Sequence, residues 1–230
     1  MSAALSTMVV ELPGCAELPV EQIGGKALGL GRLLALGVEV PAGFVVTTET
    51  FTRWMRAHGL DELVGALLSQ AHDAAGLRAA AADISGLITS HALESPEVDA
   101  AYTQLLGGAD QAVAVRSSAT GEDGAETSYA GQQETFLWVR GADQVRSKIV
   151  ECWASLFSVE AVEYRRNLGL APEGGEMAVV VQQMVPAEVA GVMFTIDPLT
   201  GDPSQITIES TFGLGLPVVA GEVTPDRYCV

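Results

Sequence analysis

The stretch "QAVAVRSSATGEDGAETSYAGQQETFLWV", residues 111–139, decides how this sequence is interpreted. It predicts an apolar strand that ends at Arg116, a loop of small polar residues and glycines that begins at Ser117, and a second apolar strand. Such a loop brings backbone N–H groups close to an anion, and a strand-anchored guanidinium binds phosphate oxygens in a bidentate manner. A surface loop in which Arg116 pairs with Glu122 or Asp123 explains the same residues. The segment alone leaves both interpretations open.

The charge balance restricts the anions that this protein can bind. Its 230 residues include 29 Asp and Glu against 12 Lys and Arg, which gives a formal net charge of -17. Nucleic-acid backbones are bound by extended positive surfaces, so we expect no nucleic-acid partner. An anion site must instead be built locally from a few basic side chains. The hydrophobic content of 48% is sufficient for a sizeable core and is untypical of a disordered chain.

Cysteine usage and hydropathy favour a cytoplasmic protein without a membrane segment. The three cysteines, Cys15, Cys152 and Cys229, are widely spaced and form no CxxC pattern, which indicates reduced thiols rather than disulfides or a cysteine-based metal site. No apolar run approaches the roughly 18 residues of a membrane span. The first 14 residues also lack the basic region of a secretory signal.

A second basic residue follows a pair of glycines in "GGKALGLGRLLALG", residues 24–37. The leucine spacing predicts a helix from Lys26 to Gly37, and the start of a helix presents unpaired N–H groups and a partial positive charge. The Lys26 ammonium could extend this into a phosphate site. Taken alone, the motif favours a glycine turn followed by a solvated lysine, because the GxxxxGK[ST] pattern of a Walker A loop is absent.

The stretch "VVVQQMVP", residues 179–186, ends an apolar strand at a proline, with Gln182, Met184 and Val185 before it. An adenine ring needs an apolar slot and exposed backbone N–H and C=O groups, which a strand end can provide. A methionine at this position also serves as ordinary core filling. Local sequence by itself favours core filling.

The remaining patterns predict an α+β protein. Residues 61–107 are rich in Ala and Leu with helical periodicity, interrupted at Gly76, Gly86 and Pro96. A further helical stretch covers residues 143–170. From residue 176 onward β-branched runs separated by Pro, Gly and Asp predict antiparallel strands.

Taken in order, the segments "GGKALGLGRLLALGVEVPAGFVVTTETF", "AVRSSATGEDGAETSYAGQQETFLWVRG", "VVVQQMVPAEVAGVMFTIDPLTGD" and "FGLGLPVVAGEVTPD" closely resemble one family. It is the N-terminal nucleotide-binding domain of the dikinase-type phosphotransferases: phosphoenolpyruvate synthase, pyruvate phosphate dikinase and rifampicin phosphotransferase. The likeness covers nearly the whole chain and is weakest at residues 60–110. It implies an ATP-grasp fold with ATP held between two α+β subdomains. We therefore expect a lid-like subdomain with a helical insertion at residues 1–110, and an ATP-grasp core at residues 111–230 with its C-terminal portion truncated.

The resemblance also assigns roles to residues of this chain. It places the ATP phosphates at Lys26 and Arg116, with the "AGQQETF" loop covering them through Gly131, Gln132, Gln133 and Thr135. It places the adenine at Gln182, Met184 and Val185, with Glu188 as a weaker candidate. These roles agree with those that the chemistry of the side chains suggests.

The family's reaction passes a phosphoryl group from ATP to a histidine on a separate domain or subunit, and releases AMP. That histidine then phosphorylates pyruvate or another small-molecule acceptor. Magnesium is expected, because it bridges phosphate oxygens. The "TSHA" around His91 echoes the family's phosphohistidine motif but lacks the preceding glycines. We interpret His91 as an ordinary exposed or capping residue.

Two departures from the family pattern support an alternative function. The family continues past the "TPD" block to an acidic DIEW segment and a QxRP segment that supply a metal-binding Glu and phosphate contacts, whereas this sequence ends at "TPDRYCV". The family's "GLGE" reads "GLGL" here, with Leu216 in place of the acid. We therefore expect no activity from this chain alone. The alternative is a truncated or degenerate module that binds nucleotide weakly, or binds only a protein partner.

Overall fold

The computed structural model describes residues 8–120 and 134–230. The strands in these ranges are β1 (Val9–Glu11), β2 (Gly43–Val46), β3 (Val113–Ala119), β4 (Thr135–Val139), β5 (Met177–Gln183), β6 (Val189–Phe194), β7 (Thr207–Phe212) and β8 (Asp226–Cys229). The helices are α1 (Val20–Ala35), α2 (Thr48–Ala57), α3 (Leu60–Gln70), α4 (Ala74–Thr89), α5 (Pro96–Leu106), α6 (Ala142–Ser155), α7 (Val159–Asn167) and α8 (Leu216–Val219), with a 3-10 helix at Leu12–Glu17. This mixture of helices and antiparallel strands confirms the α+β class.

The first compact unit extends to Met184 and is built on an antiparallel sheet. Among the described residues this sheet has five strands, in the order β1-β2-β5-β3-β4. The central strand β5 has the sequence "MAVVVQQ" and is buried over all but its last residue. A strand that is covered on both faces has no solvent side, which explains why its apolar run is continuous and does not alternate.

Each face of the five-stranded sheet carries its own apolar core. Helices α2–α7 pack over one face, where Phe44, Val115 and Trp153 belong to the larger cluster. On the other face, α1 and the 3-10 helix form a smaller cluster that includes Ile23 and Val180. The smaller cluster holds α1 against the sheet, and α1 carries Lys26.

The second compact unit comprises residues 185–230 and contains an antiparallel sheet of the described strands β6, β7 and β8. A buried carboxylate, Asp197, organises the connection between β6 and β7. Its Oδ1 accepts hydrogen bonds from the N–H groups of Leu199 and Thr200, both at 2.8 Å, and its Oδ2 accepts from Thr207 and Arg227, both at 3.2 Å. These bonds hold the pKa of Asp197 below its ordinary value, chiefly through the two backbone donors.

The start of the helix predicted from Lys26 is confirmed within one residue, because α1 begins with a turn at Val20, is broken at Gly24 and resumes at Gly25. Two other sequence-based boundaries were wrong. Strand β3 continues past Arg116 to Ala119, so Ser117 and Ser118 are buried strand residues and do not belong to a loop. The expected interruptions at Gly76 and Gly86 fall inside α4, because the packing of this helix outweighs the low helix propensity of glycine.

The predicted domain boundary at residue 110 does not coincide with a boundary between compact units. Strands β1 and β2, which precede it, lie in the same sheet as β3, β4 and β5, which follow it. The division of the structure falls after Met184. None of the helices in residues 8–120 and 134–230 combines the length and the apolar character that crossing a bilayer requires.

Candidate functional site

Lys26 lies just after a break in α1. Gly24, with φ 74° and ψ 166°, interrupts the helix, which resumes immediately afterwards. From this position the half-buried Lys26 reaches β3, where its Nζ donates a 2.6 Å hydrogen bond to the main-chain oxygen of Ser117. Ser117 follows Arg116 directly in β3. The fold therefore brings the Lys26 ammonium to the residue next to Arg116, the other predicted phosphate-binding residue.

Arg116 occupies the only half-buried position of β3, whose other six residues are buried. The strand register shows which sheet face it shares. Arg116 lies opposite Val180 in β5, and Val180 packs with Ile23 and Ala27 of α1. Directly opposed residues of neighbouring strands share a face. Arg116 therefore belongs to the face on which α1 packs, where Lys26 also lies.

Only part of the predicted phosphate-covering segment lies within the described residues. Its residues Gly131, Gln132 and Gln133 lie outside the described residues, as do Glu122 and Asp123, the proposed partners of a surface ion pair. Thr135, the first residue of β4, lies opposite Arg116 in the register and so shares its face.

The residue that follows the loop, Glu134, is tied to β3. Its main-chain oxygen accepts hydrogen bonds from the Ser117 N–H at 3.1 Å and from the Ser117 Oγ at 3.2 Å. Glu134 is thereby held beside Ser117, the residue that follows Arg116.

The residues predicted to contact adenine are divided between the end of β5 and the second unit. Gln182 lies opposite Ala114 of β3, two positions from Arg116, and therefore on the same face. Its side chain is buried, and Nε2 donates to the oxygen of Pro41 at 3.0 Å.

Met184 differs from the expectation of open backbone groups. Its N–H donates to the oxygen of Ala112 at 3.0 Å, and its oxygen accepts from Gln111 Nε2 at 3.0 Å. In the second unit, Val185 and Glu188 are both exposed. The strand end is therefore positioned by hydrogen bonds to Gln111 and Ala112, which no local pattern in the sequence indicated.

Cys152 of α6 is buried close to Glu134, the residue that precedes β4. Burial raises the pKa of its thiol well above the ordinary value, and the negative charge of Glu134 raises it further, whereas the positive charge of Lys26 acts in the opposite direction. The Cys152 Sγ lies 4.0 Å from the oxygen of Glu134. This thiol remains protonated and serves as core filling.

His91 has the role of a capping residue, as expected. Its Nδ1 lies 2.9 Å from the oxygen of Leu87 in the last turn of α4. The ring contacts His58 and Trp54, at centroid distances of 4.8 and 6.4 Å. In residues 8–120 and 134–230, no group of three or more His, Cys, Asp and Glu side chains is arranged to hold a metal ion.

One face of the five-stranded sheet thus carries Lys26, Arg116, Thr135 and Gln182. The family described as "Pyruvate phosphate dikinase, AMP/ATP-binding domain" matches residues 20–230. The chain belongs to this family.

Proteins with three different activities are similar to this chain. The chain is 45% identical over 217 residues to a probable phosphoenolpyruvate synthase of Methanothermobacter thermautotrophicus, covering 90% of this chain and 31% of the relative. It is 41% identical over 228 residues to a rifampicin phosphotransferase of a Streptomyces species, covering 97% and 26%. It is 41% identical over 225 residues to the prodigiosin synthesizing transferase PigC of Serratia marcescens, covering 96% and 23%. The chain thus spans less than a third of each of these relatives.

Sequence reasoning missed the residues that join α1 to β3 beside Lys26. Ser118 and Gly24 meet at the break in α1, where the Ser118 Oγ donates to the Ile23 oxygen at 2.9 Å and accepts from the Ala27 N–H at 3.1 Å. The available signal was a glycine before a lysine and a serine after an arginine. Nothing in either stretch indicated that the two would pair.

Proposed function

We propose that this chain is the ATP-binding part of a dikinase-type phosphotransferase, and that Lys26 and Arg116 bind the triphosphate. The observation that carries the proposal is the 2.6 Å contact of Lys26 Nζ with the oxygen of Ser117, the neighbour of Arg116. Ser117 lies 91 residues from Lys26 in the chain, yet the fold brings the two basic positions together on one sheet face. In a protein with a net charge of -17, such a pairing of cations is suited to a polyanion.

The remaining proposed contacts are those that the family resemblance implies. We propose that Gly131, Gln132 and Gln133 cover the phosphates and that Thr135 lines the site opposite Arg116. Gln182, Met184, Val185 and Glu188 are proposed to surround the adenine, in an ATP-grasp arrangement. Since the N–H and C=O of Met184 are bonded within the first unit, any contribution from this residue comes from its side chain.

The proposed reaction transfers a phosphoryl group from ATP to a histidine on a separate domain or subunit and releases AMP. That histidine then passes the group to pyruvate or to another small acceptor. Fixed positive charges beside the phosphates stabilise the charge that spreads over the transferring group in the transition state. The histidine and the acceptor site would lie in the part of such an enzyme that corresponds to the remaining length of the relatives.

Magnesium is proposed to enter with ATP as the metal–nucleotide complex. The part of the chain that the structure describes contains no cluster of three metal-ligating side chains, so we assign no residue to the ion. Mg²⁺ usually keeps several water ligands and binds through substrate phosphates with one or two carboxylates. The role of this chain's own residues is to hold the phosphate oxygens.

The test is a calorimetric titration of the chain with MgATP. We expect saturable binding, weakened roughly 10- to 100-fold by Lys26→Ala and by Arg116→Ala, because a hydrogen bond to a charged group contributes about 1.5 to 3 kcal/mol. Arg53→Ala is the matched control, since Arg53 is an exposed cation of α2 that pairs with Glu49. If wild-type protein fails to bind MgATP even with the remainder of a relative supplied as a second polypeptide, the proposal is refuted.

A non-catalytic interaction module is the second candidate, and one observation favours it. The second unit exposes several large apolar side chains, among them Phe212 at 85%, Leu199 at 77% and Val219 at 72% exposure. Apolar surface of this kind tends to recruit a partner. Formation of AMP together with a phosphorylated acceptor by the purified chain would exclude this candidate.

A further inference from the structure

The break in α1 creates a helix start without a capping side chain of its own. The N-terminal N–H groups of a helix lack intrahelical partners, and a Ser, Thr, Asp or Asn at the preceding position usually accepts one of them. In α1 the preceding position is Gly24, which has no side chain, and Gly25, Lys26 and Ala27 are the first three residues of the resumed helix. The third residue is the one whose N–H an N-cap oxygen normally accepts.

Ser118 supplies the missing oxygen from a different element. Its Oγ accepts the Ala27 N–H at 3.1 Å and donates to the Ile23 oxygen at 2.9 Å. One hydroxyl therefore satisfies both sides of the break, the last carbonyl before it and the N–H that an N-cap would bind. Ser118 is fully buried, so water cannot readily take its place.

Close contact between the two elements explains why the cap is not local. A Cβ on Gly24 would lie 2.1 Å from the Ser118 oxygen and 2.4 Å from its Oγ, both far inside contact distance. The conformation of Gly24, with positive φ and extended ψ, is also essentially restricted to glycine. A serine or aspartate therefore cannot occupy position 24, and the capping role falls to β3.

Two consecutive residues of β3 fix the position of Lys26. The helix start is tied to the Ser118 side chain, and the Lys26 ammonium is tied to the Ser117 oxygen, one residue away along the same strand. Arg116 precedes these two residues. The spacing between Lys26 and Arg116 is thus set by three consecutive residues of one rigid strand.

We propose that Ser118 is a positioning residue for the phosphate site, which caps the resumed α1 in trans and so fixes Lys26 relative to Arg116. The proposal rests on the proposed function for its ligand, a nucleotide triphosphate. Ser118 does not touch the ligand in this role. It acts through the main chain of Gly25, Lys26 and Ala27.

The first experiment compares Ser118→Ala with Ser95→Ala, both assayed by titration with MgATP and by urea unfolding. Ser95 is a buried N-cap whose hydroxyl accepts the Val98 N–H of α5, so its removal deletes a comparable hydrogen bond away from α1. We expect Ser118→Ala to raise the dissociation constant for MgATP roughly 5- to 30-fold and Ser95→Ala to leave it within twofold. Equal losses of affinity in the two variants would overturn the proposal, because they would show a general effect on folding.

A double-mutant cycle tests whether Ser118 acts through Lys26. Ser118→Ala is introduced into wild-type protein and into Lys26→Ala, and the changes in MgATP affinity are compared. We expect most of the effect of Ser118→Ala to vanish in the Lys26→Ala background. An undiminished effect in that background would overturn the proposal. If Ser118→Ala does not fold, Ser118→Cys takes its place, since sulfur keeps the shape but is a weak acceptor.

Amide exchange separates this proposal from the proposed function. In Ser118→Ala, we expect the Ala27 amide to exchange at least several-fold faster, with amides in the last turn of α1 unchanged. Unchanged exchange at Ala27 contradicts the cap whether or not ATP binds. Failure of wild-type protein to bind MgATP even with the remainder of a relative supplied, together with accelerated exchange in Ser118→Ala, would refute the proposed function and leave the cap supported.

Discussion

The break in α1 predicts that three of its four glycines, Gly24, Gly29 and Gly31, respond differently to the same substitution. Gly24→Ala forces a side chain into a backbone conformation that costs about 1 to 3 kcal/mol for residues other than glycine. The added Cβ would also lie 2.1 Å from the Ser118 main-chain oxygen, and relieving such overpacking costs about 1 to 3 kcal/mol more. We expect the free energy of unfolding to fall by about 2 to 6 kcal/mol. This is a large part of the total free energy of unfolding of a typical domain, which is about 5 to 15 kcal/mol.

Two neighbours on the same helix provide matched controls. A Cβ on Gly29 meets no atom within 4 Å, so Gly29→Ala is expected to stabilise the protein by up to about 1 kcal/mol through helix propensity. A Cβ on Gly31 would lie 2.7 Å from the Ala16 nitrogen in the 3-10 helix, which predicts an intermediate loss of about 1 to 3 kcal/mol. The expected order of stability is Gly29→Ala above wild type, followed by Gly31→Ala and then Gly24→Ala.

Urea unfolding followed by tryptophan fluorescence measures this order. Trp54 and Trp153 are buried in the larger core with ring centroids 5.2 Å apart, so their emission reports loss of the first unit. Analysis of the slope as well as the midpoint shows whether the variants unfold as wild type does. A Gly24→Ala protein as stable as wild type, or one stabilised like Gly29→Ala, would refute the assignment of a glycine-only break.

Two further predictions concern thiols and pH. The exposed Cys229 is expected to react promptly with a thiol reagent, whereas Cys15 and Cys152 react only on unfolding. Both of these thiols are buried, and burial raises the pKa of Cys15 to about 11 and that of Cys152 still further. Peptide mass mapping identifies the modified site, and prompt modification of more than one thiol in folded protein would contradict the prediction. The second unit is expected to lose stability as pH falls from about 4 towards the lowered pKa of Asp197, since a carboxylate with a depressed folded-state pKa stabilises the fold only while ionised. Hydrogen exchange of residues 195–210 across this pH range measures the effect. The Asp197→Asn variant is expected to show a weaker pH dependence of exchange. An identical pH dependence in that variant would show that the Asp197 carboxylate is not its cause.

Local patterns predicted much of the secondary structure and the identity of the basic residues. The helical stretch at residues 143–170 was correctly placed as α6 and α7, and the apolar strand before Pro186 as β5, because helical periodicity and β-branched runs act over a few neighbouring positions. The family was also recognisable from sequence, since its motifs are contiguous blocks. The assignment of Lys26 and Arg116 to phosphates remains a proposal, although the fold places the two positions side by side.

Tertiary structure alone decided how these pieces are combined. The insertion of β5 between β2 and β3 joins strands from distant parts of the chain, and the cap of α1 by Ser118 joins residues 91 positions apart. Periodicity in a sequence reports which face of an element is apolar, but it does not identify the element that will cover that face. The break at Gly24 is stable only because a particular strand supplies a hydroxyl there, and such a partner is defined by packing in three dimensions and not by neighbouring residues.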